Sequence, residues 1–308
     1  MRIDAHQHFW RISEAADYLW MSPAQILLYR DHQPVDLQPF LARHGIDGTL
    51  LVQASPTSHE THALLALAQQ TSFVKGVVGW CEFTDAAAPE TIASLARSPL
   101  LRGLRPMVQD IADDGWLLRN DLRPAFEALI RHRLVFDALV HPRHLWRLTE
   151  LVDRYPTLSV VVNHGAKPAI HVGELGAWRR DIAALAARRG TVCKLSGLVT
   201  ECGRGDRSPA RLRPVVDHLL HCFGPDRLLW GSDWPVVNLA GGYDEWMATA
   251  TELLAGLESA ERNAVFGGNA ERIYLRPNGP FVPVPTSEIT TKNHTAEPST
   301  GNLPPGFG

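Results

Sequence analysis

The feature that most restricts the fold of this 308-residue chain is a regular alternation of short apolar runs with longer segments of helical periodicity. Several of the short runs are apolar almost throughout, as in TLLV at residues 49–52 and LSVVV at residues 158–162. Such runs are typical of parallel strands that are covered on both faces. Eight strands are predicted, at residues 2–9, 48–53, 76–82, 102–108, 134–140, 158–163, 191–196 and 227–231.

The segments between these runs have the ends expected of helices. Asp36 can cap a helix that stops at Gly45, and Pro142 opens another that ends before Pro156. The glycine-rich turn that a dinucleotide-binding fold places after its first strand is absent, because HQH stands there at residues 6–8. Eight such units in a chain of this length predict an α/β fold, a single closed (β/α)8 (TIM) barrel rather than an open doubly wound sheet.

Two stretches depart from the alternation. Residues 11–35, after the first strand, form a long connection that either folds over the barrel mouth or makes a surface excursion. Residues 277–308 are rich in Pro, Ser, Thr and Gly, which predicts a poorly ordered tail without a catalytic role. The predicted organisation is therefore one barrel domain over residues 1–276 and a tail over residues 277–308.

Composition and charge argue against a nucleic-acid-binding protein and against a membrane protein. A net charge of −3 and a pI near 6.5 give no broad positive field for nucleic acid or an anionic membrane surface. No apolar run approaches the roughly 18 residues of a membrane-spanning helix, and the amino terminus lacks the pattern of a secretory signal. Cysteines without a CxxC pair are typical of free thiols in a reducing cytoplasm, where we expect the protein to reside. The four are Cys81, Cys193, Cys202 and Cys222.

Ionisable side chains stand at the carboxyl ends of several predicted strands. His6 and His8 are two residues apart in the first strand and therefore project from the same face. His141, His164 and Asp233 follow the fifth, sixth and eighth predicted strands. The carboxyl ends of the strands in a (β/α)8 barrel form one rim, on which the eighth strand adjoins the first. We therefore expect the HxH pair, His164 and Asp233 to form one functional cluster.

Motifs spread along the barrel resemble those of the amidohydrolase superfamily, whose hallmark is an HxH pair on strand one, histidines after strands five and six and an aspartate after strand eight. The finer resemblance is to its sugar-lactonase branch, which includes L-fuconolactonases and L-rhamnonolactonases. The resemblance covers residues 1–276 and omits the tail. The segments that carry it are DAHQHFW at residues 4–10, GW at 79–80, GLR at 103–105, NHGAKP at 163–168, KLSG at 194–197, GSDWP at 231–235 and GNA at 268–270.

The resemblance implies that the rim cluster surrounds the hydrolytic water and the carbonyl of the substrate. Lactone hydrolysis needs an activated water, a polarised carbonyl and a proton for the leaving alkoxide. Asp233 is placed to take the proton from water. His6, His8 and His164 can stabilise the developing oxyanion, either directly or through a metal ion. No Gly-x-Ser-x-Gly nucleophile elbow is present, and the mechanism requires no covalent nucleophile.

The resemblance leaves the metal content open between one cation and none. Residues 105–109 read RPMVQ, so the carboxylated lysine or glutamate that bridges two metals in binuclear members is missing after strand four. One divalent ion, with zinc as the first choice, or no metal fits better than a two-metal site, and no organic cofactor is expected. His141 either completes a mononuclear set with the HxH pair and Asp233 or caps the helix that follows it. Lys194, inside strand seven, needs a partner and is expected to face the barrel interior.

Five further residues are candidates for substrate binding, each with a structural alternative. Glu82 can bind a sugar hydroxyl or face solvent, and Arg105 can bind the lactone oxygens or form an ion pair. Lys167 can bind a hydroxyl or remain a solvated loop lysine. Trp10 and Trp234 can stack on a sugar ring or pack at the top of the barrel.

These features together favour a hydrolase that opens an uncharged, polyhydroxylated aldonolactone to its acid. On resemblance, L-fucono-1,5-lactone or a related L-sugar lactone is the first candidate for the small-molecule partner. Metal-dependent non-oxidative decarboxylation and hydrolysis of a carboxylated or aromatic lactone remain open, as does a carbohydrate-binding barrel without catalysis. The chain could also form a homo-oligomer.

Overall fold

Eight strands alternate with helices in a single (β/α)8 barrel, as predicted. The computed structural model describes residues 1–13, 18 and 20–276. The strands are β1 (Ile3–Gln7), β2 (Gly48–Val52), β3 (Val74–Gly79), β4 (Leu101–Leu104), β5 (Val135–Ala138), β6 (Val160–Val162), β7 (Thr191–Leu195) and β8 (Leu228–Trp230). The helices are α1 (Pro34–His44), α2 (Ser58–Gln70), α3 (Ala88–Leu95), α4 (Arg123–His132), α5 (Leu145–Arg154), α6 (Gly176–Ala186), α7 (Pro209–Phe223), α8 (Tyr243–Leu253) and α9 (Ser259–Asn263). Each strand pairs in parallel with the next, in chain order from β1 to β8.

The barrel closes between β8 and β1, just beyond the carboxyl end of β8. The Asp233 N–H donates to the His6 carbonyl at 2.8 Å. We call this closure, where residues 231–234 lie against residues 4–8, the seam. The buried Asp4 carboxylate links its two sides, because its Oδ1 accepts from the N–H groups of His6 at 3.1 Å and Ser232 at 2.8 Å. The two chain segments approach so closely that a Cβ added to Gly231 would lie 2.7 Å from the His6 Cβ. The seam therefore sets the distance between the HxH pair and the aspartate.

Apolar side chains fill the barrel and the space between the sheet and the helices. The inner cluster takes one or two buried residues from each of seven strands and is joined by Ala270 and Tyr274 from the described carboxyl-terminal segment. Asn269 in that segment donates to the carbonyl of Leu228 at the start of β8, so the segment closes the amino-terminal end of the barrel. The larger outer cluster packs the helices against the strands.

The long connection after β1 folds back over the carboxyl end of the barrel. The Trp10 indole donates to the carbonyls of Leu28 at 3.1 Å and Arg30 at 2.9 Å. The Trp20 indole donates to the carbonyl of Ala54, just after β2, at 2.8 Å. These contacts favour the first of the two predicted arrangements of residues 11–35, of which residues 14–17 and 19 lie outside the described part.

The described residues include all four cysteines. All four cysteines are free, and three of them are buried. No helix within the described ranges combines the length and apolar character needed to cross a membrane. The predicted tail, residues 277–308, lies outside the described residues, so its poor order stays a prediction.

Candidate active site

Four of the predicted rim residues meet around one carboxylate oxygen. The Asp233 Oδ1 lies 3.4 Å from His8 Nε2, 3.5 Å from His6 Nε2 and 3.9 Å from His164 Nε2. All four side chains are buried. The structure therefore brings the predicted cluster together at the carboxyl rim, where barrel enzymes place their active sites.

The backbone turns sharply at two of these residues. His164 has φ of 54° and Asp233 has φ of 59°, both in the left-handed region. Residues other than glycine rarely adopt this conformation, which costs of the order of 1 kcal/mol or more and occurs often at functional sites. At both positions the strand has just ended, so the turn directs the side chain across the barrel mouth rather than along the sheet.

The surroundings of His8 fix which of its ring nitrogens carries a hydrogen. Its Nδ1 lies 2.8 Å from the carbonyl oxygen of Val52, which can only accept a hydrogen bond. Burial lowers the pKa of His8, so its ring is neutral and its Nε2 keeps a lone pair. That lone pair faces His6 and Asp233 and is available to a proton or a metal ion.

His6 lies between two buried cationic side chains. Its Nδ1 is 3.3 Å from the Lys194 Nζ, and its Nε2 is 3.4 Å from the Arg105 Nη1. Burial, reinforced by Lys194, lowers the pKa of His6 well below its ordinary value. A neutral His6 therefore contacts two cations, whose charge favours negative charge that develops next to its ring.

The environment of the site favours the neutral form of His164 and the ionised form of Asp233. The His164 Nδ1 lies 2.9 Å from the Ser196 hydroxyl, and burial lowers the pKa of His164 to about 3 despite the nearby carboxylate. Burial alone would raise the pKa of Asp233, but His164, His8 and Lys167 together lower it below its ordinary value. The site thus holds neutral imidazoles beside an ionised carboxylate, the state in which Asp233 can accept a proton.

A second layer of buried polar groups lies below His6, centred on Asp137 of β5. The Asp137 Oδ1 accepts from Lys194 Nζ at 2.6 Å and from Asn163 Nδ2 at 2.8 Å, and its Oδ2 accepts from the Tyr274 hydroxyl at 2.7 Å. Lys194 faces the barrel interior, as predicted. Asp137 was not predicted, although a single aspartate within the apolar run VFDA was a signal that it needed a partner.

Arg105 is buried in the site rather than at its edge. Its Nη2 donates to the backbone carbonyl of Gln53 and to the Gln53 side chain at 3.2 Å, and its Nη1 lies 3.5 Å from the Asn163 Oδ1. Among the described residues it forms no ion pair, and its Nε has no partner. Its position beside His6 is compatible with a contact to the lactone oxygens, which stays a prediction.

His141 lies apart from the metal-type donors. Within the described chain, the donor group whose atoms lie within 4.8 Å of one another comprises His6, His8 and Asp233 and does not include His141. His141 instead precedes the short helix Pro142–His144, where its N–H donates to the His144 Nδ1 at 3.1 Å. This placement corrects the predicted ligand set, because the residue occupies the capping position that was its alternative.

Glu82 and Lys167 lie on the same rim as the cluster. The exposed Glu82 accepts hydrogen bonds from the Thr84 N–H at 3.0 Å and hydroxyl at 2.6 Å. It lines a cavity of about 640 Å³ at the carboxyl ends of β3 and β4, together with Trp80 and Trp116. Lys167 is half-buried and close enough to lower the pKa of Asp233. Both residues remain candidates for substrate contacts.

Trp10 and Trp234 are packed into the protein. Each is 2% exposed, so a sugar ring could not stack on either without a rearrangement. Trp10 lies against His32 and Trp20, with ring centroids 5.1 and 5.6 Å apart, and Trp234 lies 5.2 Å from the same histidine. Their predicted stacking on substrate is therefore replaced by the packing alternative, in which they hold the long connection against the barrel.

Comparisons with known proteins identify the family of the chain. The Amidohydrolase family matches residues 3–276. An L-fucono-1,5-lactonase of Burkholderia ambifaria is 46% identical over 284 residues, which cover 90% of this chain and 97% of that protein. An L-fucono-1,5-lactonase of Burkholderia multivorans is 38% identical, with 90% and 97% coverage. A crystal structure of an amidohydrolase from Burkholderia multivorans with bound zinc has a TM-score of 0.85 and 37% identity, and covers 89% of this chain and 99% of that one.

The family match spans the whole described barrel and includes every residue of the rim cluster. It also agrees with the resemblance found in the HxH, NHGAKP and GSDWP segments. The chain belongs to the amidohydrolase family.

Proposed function

We propose that this chain is a lactone hydrolase that opens L-fucono-1,5-lactone to the corresponding aldonic acid. The observation that carries the proposal is the convergence of three neutral imidazoles on the ionised Asp233 at the barrel rim. The names of the two relatives from Burkholderia support the substrate, because each aligns with nearly the whole barrel.

Asp233 is the general base and then the general acid of the reaction. Its carboxylate takes a proton from water as the water oxygen attacks the lactone carbonyl. When the bond between the carbonyl carbon and the ring oxygen breaks, Asp233 returns that proton to the ring oxygen. Water is thereby added across the ester, and the resulting carboxylic acid releases a proton near neutral pH. The lowered pKa of Asp233 keeps the base ionised between turnovers.

The developing oxyanion is stabilised by groups that are already in place. The Arg105 guanidinium lies beside His6 and is positively charged without any proton transfer. When the Ser196 hydroxyl donates to the His164 Nδ1, the ring carries its hydrogen on Nε2 and can donate it into the site. Such preorganised donors lower the barrier because they need no reorientation as charge forms.

The donor set also fits a divalent cation, which we propose to be zinc. His6, His8 and Asp233 would hold it, since imidazole nitrogens and a carboxylate oxygen are the donors zinc prefers, and His8 has its Nε2 lone pair directed to the site. Zinc would supply Lewis-acid polarisation of the carbonyl and would favour ionisation of water. The zinc in the related Burkholderia structure supports this choice.

The cavity lined by Glu82 favours a neutral sugar over a carboxylated one. Its charged lining consists of two carboxylates, Glu82 and Asp110, and one guanidinium, that of Arg119. The guanidinium is already engaged, because its Nε donates to Asp121 at 3.0 Å. A dicarboxylate or aromatic acid would meet net negative charge here, whereas sugar hydroxyls can donate to the carboxylates and the ring can pack on Trp80. This observation argues against the decarboxylase and carboxylated-lactone alternatives.

A pH-indicator assay with L-fucono-1,5-lactone tests the proposal. We expect acidification by the wild-type chain and a loss of roughly a thousandfold in kcat for Asp233→Asn, because the general base is removed. The exposed Asp217→Asn on α7 is the matched control and should hydrolyse the lactone at the wild-type rate. Near wild-type turnover by Asp233→Asn would overturn the mechanism, and proton uptake from a carboxylic acid substrate would indicate a decarboxylase instead.

The cellular location and the oligomeric state of the protein lie outside the proposed site. We propose a cytoplasmic location, which is supported by four cysteines that form no disulfide among the described residues. A homo-oligomer stays a prediction from the sequence.

A further inference from the structure

A second cavity, of about 710 Å³, opens at the amino-terminal end of the barrel. Its wall includes Leu101 and Leu134 at the starts of β4 and β5, Leu158 before β6, and Tyr274 from the carboxyl-terminal segment. The inner apolar cluster separates it from the rim cluster at the opposite end. The cavity is therefore distinct from the proposed active site.

The charge on this cavity is strongly positive. Five arginines and one histidine line it, and its single carboxylate is that of Asp153. Asp153 is already paired, because it accepts from Arg188 at 2.9 and 2.7 Å. The arginines are Arg102, Arg133, Arg188, Arg189 and Arg276.

Three of these guanidiniums have no partner among the described residues. Arg102 is half-buried, its Nε is buried without a hydrogen bond, and burial lowers the pKa of Arg102. Arg189 and Arg276 are exposed and form neither a hydrogen bond nor an ion pair with any part of the chain that the structure describes. A half-buried guanidinium without a counter-charge is costly, and an anionic ligand in the cavity would offset that cost.

Neutralisation of helix dipoles does not account for this charge. Helices α3 to α6 end beside the cavity, and each carboxyl end carries the equivalent of about half a negative charge. A single arginine per helix end would more than offset this, and Arg102 belongs to a strand rather than a helix. The remaining positive charge is available to a ligand.

We propose that this cavity binds a phosphate-bearing organic anion of nucleotide size. Guanidiniums match phosphate oxygens in a bidentate arrangement, and Arg102, Arg189 and Arg276 supply that chemistry. The carbon part of the ligand would pack on the apolar wall, formed by side chains such as Val152 and Ile273. The volume lies within the range of small-molecule sites, which span roughly 300–1,000 Å³.

Isothermal titration of the full chain with adenosine diphosphate tests the site, in EDTA, without magnesium and at low salt. We expect saturable binding, tighter than that of pyrophosphate because the apolar wall contributes. The Arg189→Gln/Arg276→Gln double variant should weaken binding by at least about tenfold. Both side chains are exposed, so this variant should keep the wild-type melting temperature and lactone hydrolysis.

Two controls separate this cavity from other anion sites. Arg213→Gln, an exposed arginine on α7, should bind adenosine diphosphate as the wild type does. Lys167→Gln, at the opposite end of the barrel, should also leave the affinity unchanged. Absence of binding, unaltered affinity in the double variant, or a loss of affinity in Lys167→Gln would overturn the proposal.

Discussion

Lys194 is a lysine in an environment that usually excludes the charged side chain. It is fully buried, its Nζ lies 2.6 Å from the Asp137 Oδ1, and it also contacts His6. Burial lowers the pKa of Lys194, and Asp137 counters that effect. The ammonium and the carboxylate therefore depend on each other, and the position of the His6 imidazole depends on both.

Lys194→Met should destabilise the protein by about 3–5 kcal/mol, because it leaves Asp137 as an unpaired buried charge. It should also lower kcat, since His6 loses a neighbour that holds it. Urea unfolding and the lactone assay measure the two effects. Lys75→Met is the control, because the half-buried Lys75 donates to the backbone carbonyl of Ser72 and leaves no carboxylate unpaired, and it should change the unfolding free energy by less than about 1 kcal/mol. Adding Asp137→Asn to Lys194→Met should recover part of the stability, and a further loss would contradict this account.

Glu60 is a buried carboxylate that holds the backbone after β2. Its oxygens accept from the N–H groups of Ala54 and Ser55, at distances of 2.8 to 3.1 Å. Burial nevertheless raises the pKa of Glu60 to about 7. The folded chain therefore binds a proton here between pH 4.5 and about 7, where the unfolded chain has already released it.

The raised pKa of Glu60 predicts a loss of stability as pH rises. Between pH 5 and pH 8 the wild type should lose up to about 3 kcal/mol of unfolding free energy relative to Glu60→Gln, which cannot titrate. Urea unfolding of both proteins at the two pH values measures the difference, and groups common to both cancel. Parallel pH profiles would contradict the prediction.

Residue patterns in the sequence predicted the rim cluster because each member follows an apolar run. His6 and His8 were recognisable by their spacing of two, and Asp233 by its position after the last strand. Asp137 and Asp4 were missed because their partners are far away in the chain. The contact of Asp137 with Tyr274 spans 137 residues and that of Asp4 with Ser232 spans 228, and no local pattern identifies the partner of either aspartate.

At the scale of elements, the predicted strands are all present but differ in their bounds. The third was predicted at residues 76–82 and lies at Val74–Gly79, and the eighth was predicted at residues 227–231 and lies at Leu228–Trp230. Apolar residues continue past the last ladder hydrogen bond because the rim beyond it is also buried. The apolar runs of the sequence therefore predicted where the strands lie but could not predict the residues at which they end.

The seam between β8 and β1 predicts a large effect of a small side chain. In Gly231→Ala the new Cβ would lie 2.7 Å from the His6 Cβ and 3.0 Å from its backbone nitrogen, so the two strands must separate. We expect a loss of about 1–3 kcal/mol and a lower kcat. Gly176→Ala in α6 is the control, because nothing lies within 4 Å of its added Cβ and alanine favours a helix. Urea unfolding and kcat of both variants check this, and equal behaviour would contradict it.

At the scale of the whole molecule, the barrel was predictable because eight alternating units leave few other ways to bury apolar strands. The arginine-lined cavity was not, since its residues come from five separate regions of the chain. The structure assigns different chemistry to the two ends of one barrel: a carboxylate with neutral imidazoles at one end and guanidiniums at the other.

Zinc bound at the rim should stabilise the whole barrel, since binding to the folded state alone shifts the unfolding equilibrium. At a free concentration about 100 times its Kd, zinc should add about 2.7 kcal/mol and raise the Tm by several degrees over chelator-treated protein. His8→Gln should lose this shift, whereas the exposed His59→Gln should keep it. Differential scanning calorimetry measures the shifts, and an equal zinc effect in both variants would contradict the proposed ligands.

The left-handed backbone at His164 and Asp233 has a consequence for how such a barrel can change under selection. Glycine would relieve the torsional strain at either position but would remove the functional side chain. A substitution that raises the thermal stability there should therefore lower the catalytic activity. A library screened for stability at high temperature alone should accumulate glycine at these two sites and lose activity as it gains stability. Improved variants that retain activity would then have to gain their robustness elsewhere, in the helices and loops that take no part in the reaction.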